Sequence, residues 1–103
     1  MRRDGLTALG LARAKPGREA ELGRRLAGLV APTRAEPGCL AYDLHRSQTD
    51  PAVWVLIEAW RAPVDLAAHV ASAHFQAFLA RAGEVLDGAP ISHVLDPAEP
   101  SDN

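Results

Sequence analysis

The stretch Ala52-Val53-Trp54-Val55-Leu56-Ile57-Glu58-Ala59-Trp60 decides the fold. It is dense in β-branched and aromatic residues and is bounded by Pro51 and Pro63, so it reads as a strand. Successive side chains of a strand point to opposite faces. Trp54, Leu56, Glu58 and Trp60 therefore share one face, and Val53, Val55, Ile57 and Ala59 the other. A sheet wetted on one side alternates apolar with polar residues. Here both faces are largely apolar, so both need cover.

Upstream, Cys39 to Arg46 reads as a second strand, joined to the first through the hairpin loop Gln48-Thr49-Asp50-Pro51. Before it, Leu22, Leu26, Leu29 and Thr33 recur at helical steps on one stripe. Pro37-Gly38 ends that helix, and Pro32 is expected to kink it or split off its last turn. The chain opens with a strand from Leu6 to Ala14, closed by Lys15-Pro16-Gly17. Its small residues Ala8, Gly10 and Ala12 lie on one face and Thr7, Leu9 and Leu11 on the other.

Downstream, Pro63 closes the deciding strand and Asp65 to Val70 forms a short helix. Ser72 is placed to cap a longer helix running to about Leu86, with Phe75, Phe78, Leu79, Ala82 and Leu86 as its buried stripe. Gly88 and Pro90 return the chain into a last strand, Ile91 to Leu95. The order βαββαβ gives a ferredoxin-like α+β domain, a four-stranded antiparallel sheet with both helices on one face. No element is left for the other face, and a second copy packed sheet on sheet supplies the missing cover.

At 103 residues the chain holds one domain, taken as residues 6–96 between flexible ends at 1–5 and 97–103. Such a chain buries only about 60–65% of its unfolded surface, so burial in a homodimer is a material gain. Cys39 is the single cysteine, which excludes an internal disulfide and a cysteine-ligated zinc. A formal charge of -2 with mixed signs gives no footprint for nucleic acid. No apolar run approaches the length of a membrane span or a signal peptide, so a cytoplasmic protein with no membrane partner is expected.

Among residues that carry chemistry, Glu58 shares its face with Trp54, Leu56 and Trp60. A carboxylate in such surroundings must find donors or a cation, or raise its pKa. It can serve as a base or hold a histidine in one tautomer. His69 follows Leu66 by three residues and points inward, while His74 stands in the first turn of the long helix beside Phe75. Each is a candidate general base. No HExxH spacing or facing set of carboxylates accompanies them, so no metal ligation is expected. Tyr42 shares its parity with Leu40 and Leu44 and offers a phenol to an apolar pocket. His45 lies on the opposite face, and Cys39 reads as a small apolar side chain. No glycine-rich phosphate loop is present.

The run Lys15-Pro16-Gly17, then Thr33 through Glu36-Pro37-Gly38-Cys39 to Tyr42, then Glu58-Ala59-Trp60 and His69 through His74-Phe75, resembles the antibiotic biosynthesis monooxygenase domain family. The resemblance extends from about Leu6 to Leu95. It implies a dimeric α+β barrel with facing sheets and a pocket between sheet and helices in each subunit. It further implies oxidation of a small hydroxylated aromatic, of quinol or anthrone type, by dioxygen without flavin, haem or metal. His69 is then the first candidate for the base and His74 the second. Glu58 orients the imidazole and Tyr42 positions the substrate oxygen, while Trp60, Phe75 and Phe78, with Trp54 and Leu56, form the apolar wall. Ala73 stands where many relatives place proline. Haem-degrading relatives use an asparagine on the first strand, and Leu6 to Ala14 contains none. The family also includes isomerases, and a non-catalytic small-molecule-binding dimer stays open beside the enzymatic readings.

Overall fold

A computed structural model describes residues 5–99, and the ends expected to be flexible lie largely outside them. The elements run β1 (Leu6–Arg13), α1 (Glu19–Arg34), β2 (Cys39–Arg46), β3 (Val53–Trp60), α2 (Pro63–Val70), α3 (Ala73–Arg81) and β4 (Ile91–Leu95). The four strands form one antiparallel sheet in the order β2-β3-β1-β4. The helices lie on one face, as the βαββαβ order demands.

The predicted stripe of α1 is the one buried: Leu22, Leu26, Leu29 and Thr33 pack toward the sheet. They meet Ala12 of β1, Tyr42 of β2, and Leu56 and Trp60 of β3. The small residues of β1 let the helices approach closely. Trp54 closes the far end, its ring so near Gly23 that a β-carbon there would collide with it.

Four expectations are corrected. Pro32 does not split off the last turn of α1, which continues to Arg34. The ring removes one hydrogen bond, but buried Leu29 and Thr33 on either side of it hold the last turn in place. The long helix does not reach Leu86, and Leu79 of its expected buried stripe is exposed. Ser72 caps it as expected, its Oγ accepting from the Phe75 N–H at 3.3 Å, yet α-helix gives way to a 3-10 turn at Ala82–Glu84. Gly83 weakens the helix there, and Val85 and Leu86 leave it to enter the core, Leu86 through a β-bridge to Ala14. Pro63 opens α2 as its first residue, where its missing N–H costs nothing. Finally, a register shift between Cys39 and Ala41 breaks the shared parity of Leu40 and Tyr42: Leu40 is exposed while Tyr42 is fully buried.

Among the described residues, no element covers the other face of the sheet. Val55 and Ile57 of β3 lie beside Leu9 and Leu11 of β1, and Ile91 and Leu95 extend the patch on β4. Ile57 is 42% exposed and Ile91 50%. No helix among the described residues is long and apolar enough to cross a membrane.

Candidate active site

The site is built where α2, α3 and the turn after α1 meet the sheet. Helical geometry puts Asp65 and His69, one turn apart, on the inward side of α2. Asp65 holds the start of the helix, receiving Nε of Arg61 at 3.1 Å and Nη2 at 2.8 Å. His69 is 2% exposed and sits in an aromatic nest. Its ring centroid lies 5.3 Å from Tyr42, 5.0 Å from Trp60 and 4.8 Å from Phe75.

A buried imidazole needs hydrogen-bond partners. The partner here is Glu36, whose Oε2 lies 2.8 Å from Nδ1 of His69 and 2.6 Å from Nε2 of His74. A carboxylate oxygen only accepts, so both ring nitrogens donate to it. Donation from Nδ1 puts the lone pair of a neutral His69 on Nε2, which has no protein partner among the described residues.

The chain holds Glu36 there through the turn between α1 and β2. The Glu36 N–H donates to the Thr33 carbonyl, and the Cys39 N–H to the Glu36 carbonyl. Gly38 adopts φ +83, and a β-carbon at that position would run into the Asp65 carboxylate. The Arg61 N–H donates to the Gly38 carbonyl at 2.8 Å. Glycine thus serves two demands, a left-handed backbone and close passage against α2, and the turn is pinned to the helix that carries His69.

Glu36 corrects two expectations. A carboxylate does face the histidine pair, and it is the one that orients His69. Glu58 instead accepts from Trp60 Nε1 at 3.0 Å. Burial pushes the Glu58 carboxyl above the usual carboxylate range, against the pull of the Trp60 N–H and of His69. Glu36 was visible in sequence only as part of Glu36-Pro37-Gly38, where the turn residues drew attention and the acid did not.

Beside His69 lies a cavity of about 120 Å³. Its wall includes Gly10, Trp54, Glu58, His69, Phe75 and Phe78, and it extends to Pro90, Ile91 and Ser92. Three expected lining residues, Trp54, Phe75 and Phe78, are thus present together with the base candidate and the carboxyl. Leu56, Tyr42 and Trp60 are not in the wall: Leu56 belongs to the core, and Tyr42 and Trp60 are wholly buried behind His69. The Tyr42 hydroxyl is buried beside that of Thr33 with no other hydrogen-bond partner among the described residues, and burial raises the Tyr42 phenol above its usual value. Tyr42 therefore backs the imidazole rather than meeting a ligand in this cavity.

His74 faces elsewhere. With Arg25, Leu29, Phe78 and Arg81 it lines a groove of about 560 Å³ between α1 and α3. Glu36 therefore joins a histidine of the inner cavity to a histidine of the outer groove. His45 and His93 lie on the uncovered side of the sheet, beside Val55 and Leu9 respectively. Burial raises the Cys39 thiol, which suits packing rather than nucleophilic attack.

The same framework recurs in solved structures. PA3566 from Pseudomonas aeruginosa superposes with a TM-score of 0.87 at 34% identity, covering 96% of this chain and 99% of that one. Rv0793 from Mycobacterium tuberculosis superposes with a TM-score of 0.85 at 30% identity, covering 95% and 99%. YcnE of Bacillus subtilis, which carries a provisional monooxygenase name, is 33% identical over 82 residues, 80% of this chain and 85% of that protein. The model of the antibiotic biosynthesis monooxygenase family matches residues 6–81, through the turn of Glu36, the strand of Glu58 and the helices of both histidines. The chain belongs to the antibiotic biosynthesis monooxygenase family.

Proposed function

We propose that the protein is a cofactor-independent monooxygenase that oxidises a small hydroxylated aromatic with dioxygen. The observation that carries this reading is the buried imidazole of His69. It is held at Nδ1 by Glu36, has Nε2 free of protein partners among the described residues, and stands in the wall of an apolar cavity.

Direct reaction of a closed-shell molecule with triplet dioxygen is spin-forbidden, so the substrate must first become a good one-electron donor. Deprotonating a phenol or an activated methylene achieves that. His69 Nε2 takes the proton, and the Glu36 carboxylate stabilises the imidazolium through Nδ1–H. The anion passes one electron to dioxygen, and the radical pair combines into a peroxide within a cavity that excludes bulk water. Loss of water leaves a carbonyl. One oxygen atom enters the product and the other leaves as water, and the substrate supplies all four electrons, so no external reductant is required. The wall of Trp54, Phe75 and Phe78 suits a flat ring. A cavity of about 120 Å³ is below the roughly 300 Å³ of usual ligand pockets, which favours a single-ring quinol over a three-ring anthrone.

A second reading has an observation of its own. Glu58, with its raised pKa, and His69 flank the same cavity, and such a pair can move a proton between two carbons of a small substrate as an isomerase does. Recording dissolved oxygen with a panel of phenols, quinols and anthrones tests the oxidation directly. Uptake coupled to quinone formation supports the monooxygenase. Turnover without uptake supports the isomerase, and binding without turnover leaves a small-molecule carrier.

The working unit is proposed to be a homodimer joined through the uncovered sheet faces. The continuous patch of Leu9, Val55, Ile57, Ile91 and Leu95 supports this, because an exposed apolar surface of that extent calls for a partner.

A further inference from the structure

The cluster around Glu36 has a property that acid–base chemistry does not use. Two imidazole nitrogens from different helices aim at one carboxylate oxygen, so their lone-pair directions meet at a single point. The three donor atoms lie within 4.8 Å of one another. We propose that Glu36, His69 and His74 form a binding site for one divalent transition-metal ion of the zinc class, and that its occupancy switches off the base.

The ligand chemistry selects the class. Two nitrogens and one oxygen match zinc and its neighbours, whereas magnesium and calcium demand more oxygens than this site offers. The contraction required is short. The nitrogens stand 2.6 and 2.8 Å from Oε2, and zinc bonds to nitrogen and oxygen are about 2.0–2.2 Å. An ion takes the point that Oε2 occupies, and the carboxylate, carried on a turn, draws back to become the third ligand. Access comes from outside. Side-chain exposure rises from 3% at His69 through 12% at Glu36 to 25% at His74, which opens on the groove between α1 and α3. A water completes the coordination from the groove.

The switch follows from tautomer arithmetic. Coordination through Nδ1 of His69 displaces the hydrogen held there, and in a neutral ring that hydrogen moves to Nε2. Nε2 is the atom that must accept the substrate proton, so the metal-bound ring cannot act as the base. The binding claim stands apart from the enzymatic reading, whereas the switch rests on it.

The test is calorimetric titration of the chelator-treated full chain with zinc chloride, followed by cobalt(II) absorption. One ion per chain is expected, with intense visible bands from low-coordinate cobalt and no heat from magnesium. Glu36→Gln and His74→Gln should each weaken zinc binding by at least about tenfold, while a His45→Ala, His93→Ala double variant binds as wild type does. Two variants at the site keep the test decisive if one misfolds. Substoichiometric binding, or binding that neither site variant weakens, would overturn the site. Oxygen uptake should fall in proportion to zinc occupancy and return with chelator. Zinc binding with uptake unaltered overturns the switch, and zinc binding in a protein that consumes no oxygen with any phenol overturns the enzymatic reading but not the site.

Discussion

Glu36 and His69 stand 33 residues apart in the chain, and Oε2 of the first lies 2.8 Å from Nδ1 of the second. The contact fixes a tautomer: with hydrogen on Nδ1, a neutral His69 turns an unshared pair toward the cavity. Replacing His69 with alanine should cut turnover by roughly 10²–10⁴-fold, the usual worth of a positioned acid–base group. Glu36→Gln keeps a similar shape but loses the charge that stabilises the imidazolium, and should cost a smaller factor expressed in kcat rather than KM. Steady-state oxygen uptake of both variants, with circular dichroism to verify folding, checks the pair. Full activity in His69→Ala would remove the assignment.

The turn that presents Glu36 depends on Gly38. Gly38→Ala forces a side chain into left-handed backbone and drives a β-carbon into the Asp65 carboxylate. The backbone conformation alone costs about 1–2 kcal/mol, and relief of the collision adds to it. Urea denaturation should show a loss of about 2 kcal/mol or more. A variant as stable as wild type would mean that the turn relaxes freely, and Glu36 would then be poorly held.

Much of this arrangement was legible in the sequence, and the part that was not has a common cause. Alternation in Val53 to Trp60 and the four-residue steps from Leu22 to Thr33 are local patterns that backbone geometry converts directly into faces, so the buried residues of α1 and β3 could be read from spacing. His69 turned inward for the same reason. Glu36 could not be placed that way, because its position depends on a turn packing against α2, a contact of long sequence separation. The bulge near Leu40 escaped because one inserted residue inverts parity without any compositional sign. Tyr42 and Trp60 were rightly placed on the inner face, but periodicity gives a face and not a depth, and both lie behind His69 rather than in the cavity wall.

Gly10 offers a way to change the cavity without disturbing its chemistry. A β-carbon there would lie 3.6 Å from Glu58 Oε2 and 3.7 Å from the Leu56 β-carbon, ordinary contact distances, and the backbone has no need of glycine. Gly10→Ala should therefore fold at least as stably as wild type, since alanine suits a strand better. The added methyl takes room from a small space beside the carboxyl, so KM should rise, and more for larger ring substrates than for smaller ones. An unaltered KM across a size series would place the substrate somewhere other than this cavity.

Glu58 makes the stability of the fold depend on pH in a defined direction. Burial raises its pKa in the folded state, so between the unfolded and the folded value the folded chain holds a proton that the unfolded chain has released. The stability linked to Glu58 is fully present below the ordinary carboxylate range and is lost as pH rises through the folded value. Glu58→Gln carries no charge to desolvate and still accepts from Trp60 Nε1. Its melting temperature should match that of wild type at about pH 4 and exceed it increasingly toward pH 7. Thermal unfolding of both proteins across that range checks the sign, and a gap that is constant or that closes with rising pH would contradict the raised pKa.

Val55 tests the proposed dimer without touching the site. It lies on the uncovered face, paired with Leu11 of β1 and His45 of β2, on the opposite side of the sheet from Glu58. If a second copy covers that face, Val55→Asp buries an unpaired carboxylate at the joint, which costs far more than the same change in water. Sedimentation should give wild type at twice the 11.0 kDa chain mass and the variant as a monomer or an aggregate. If wild type sediments as a soluble monomer, the apolar face is left uncovered and the dimer fails. If the variant stays dimeric, the copies join elsewhere, and the facing sheets fail even though the oligomer stands.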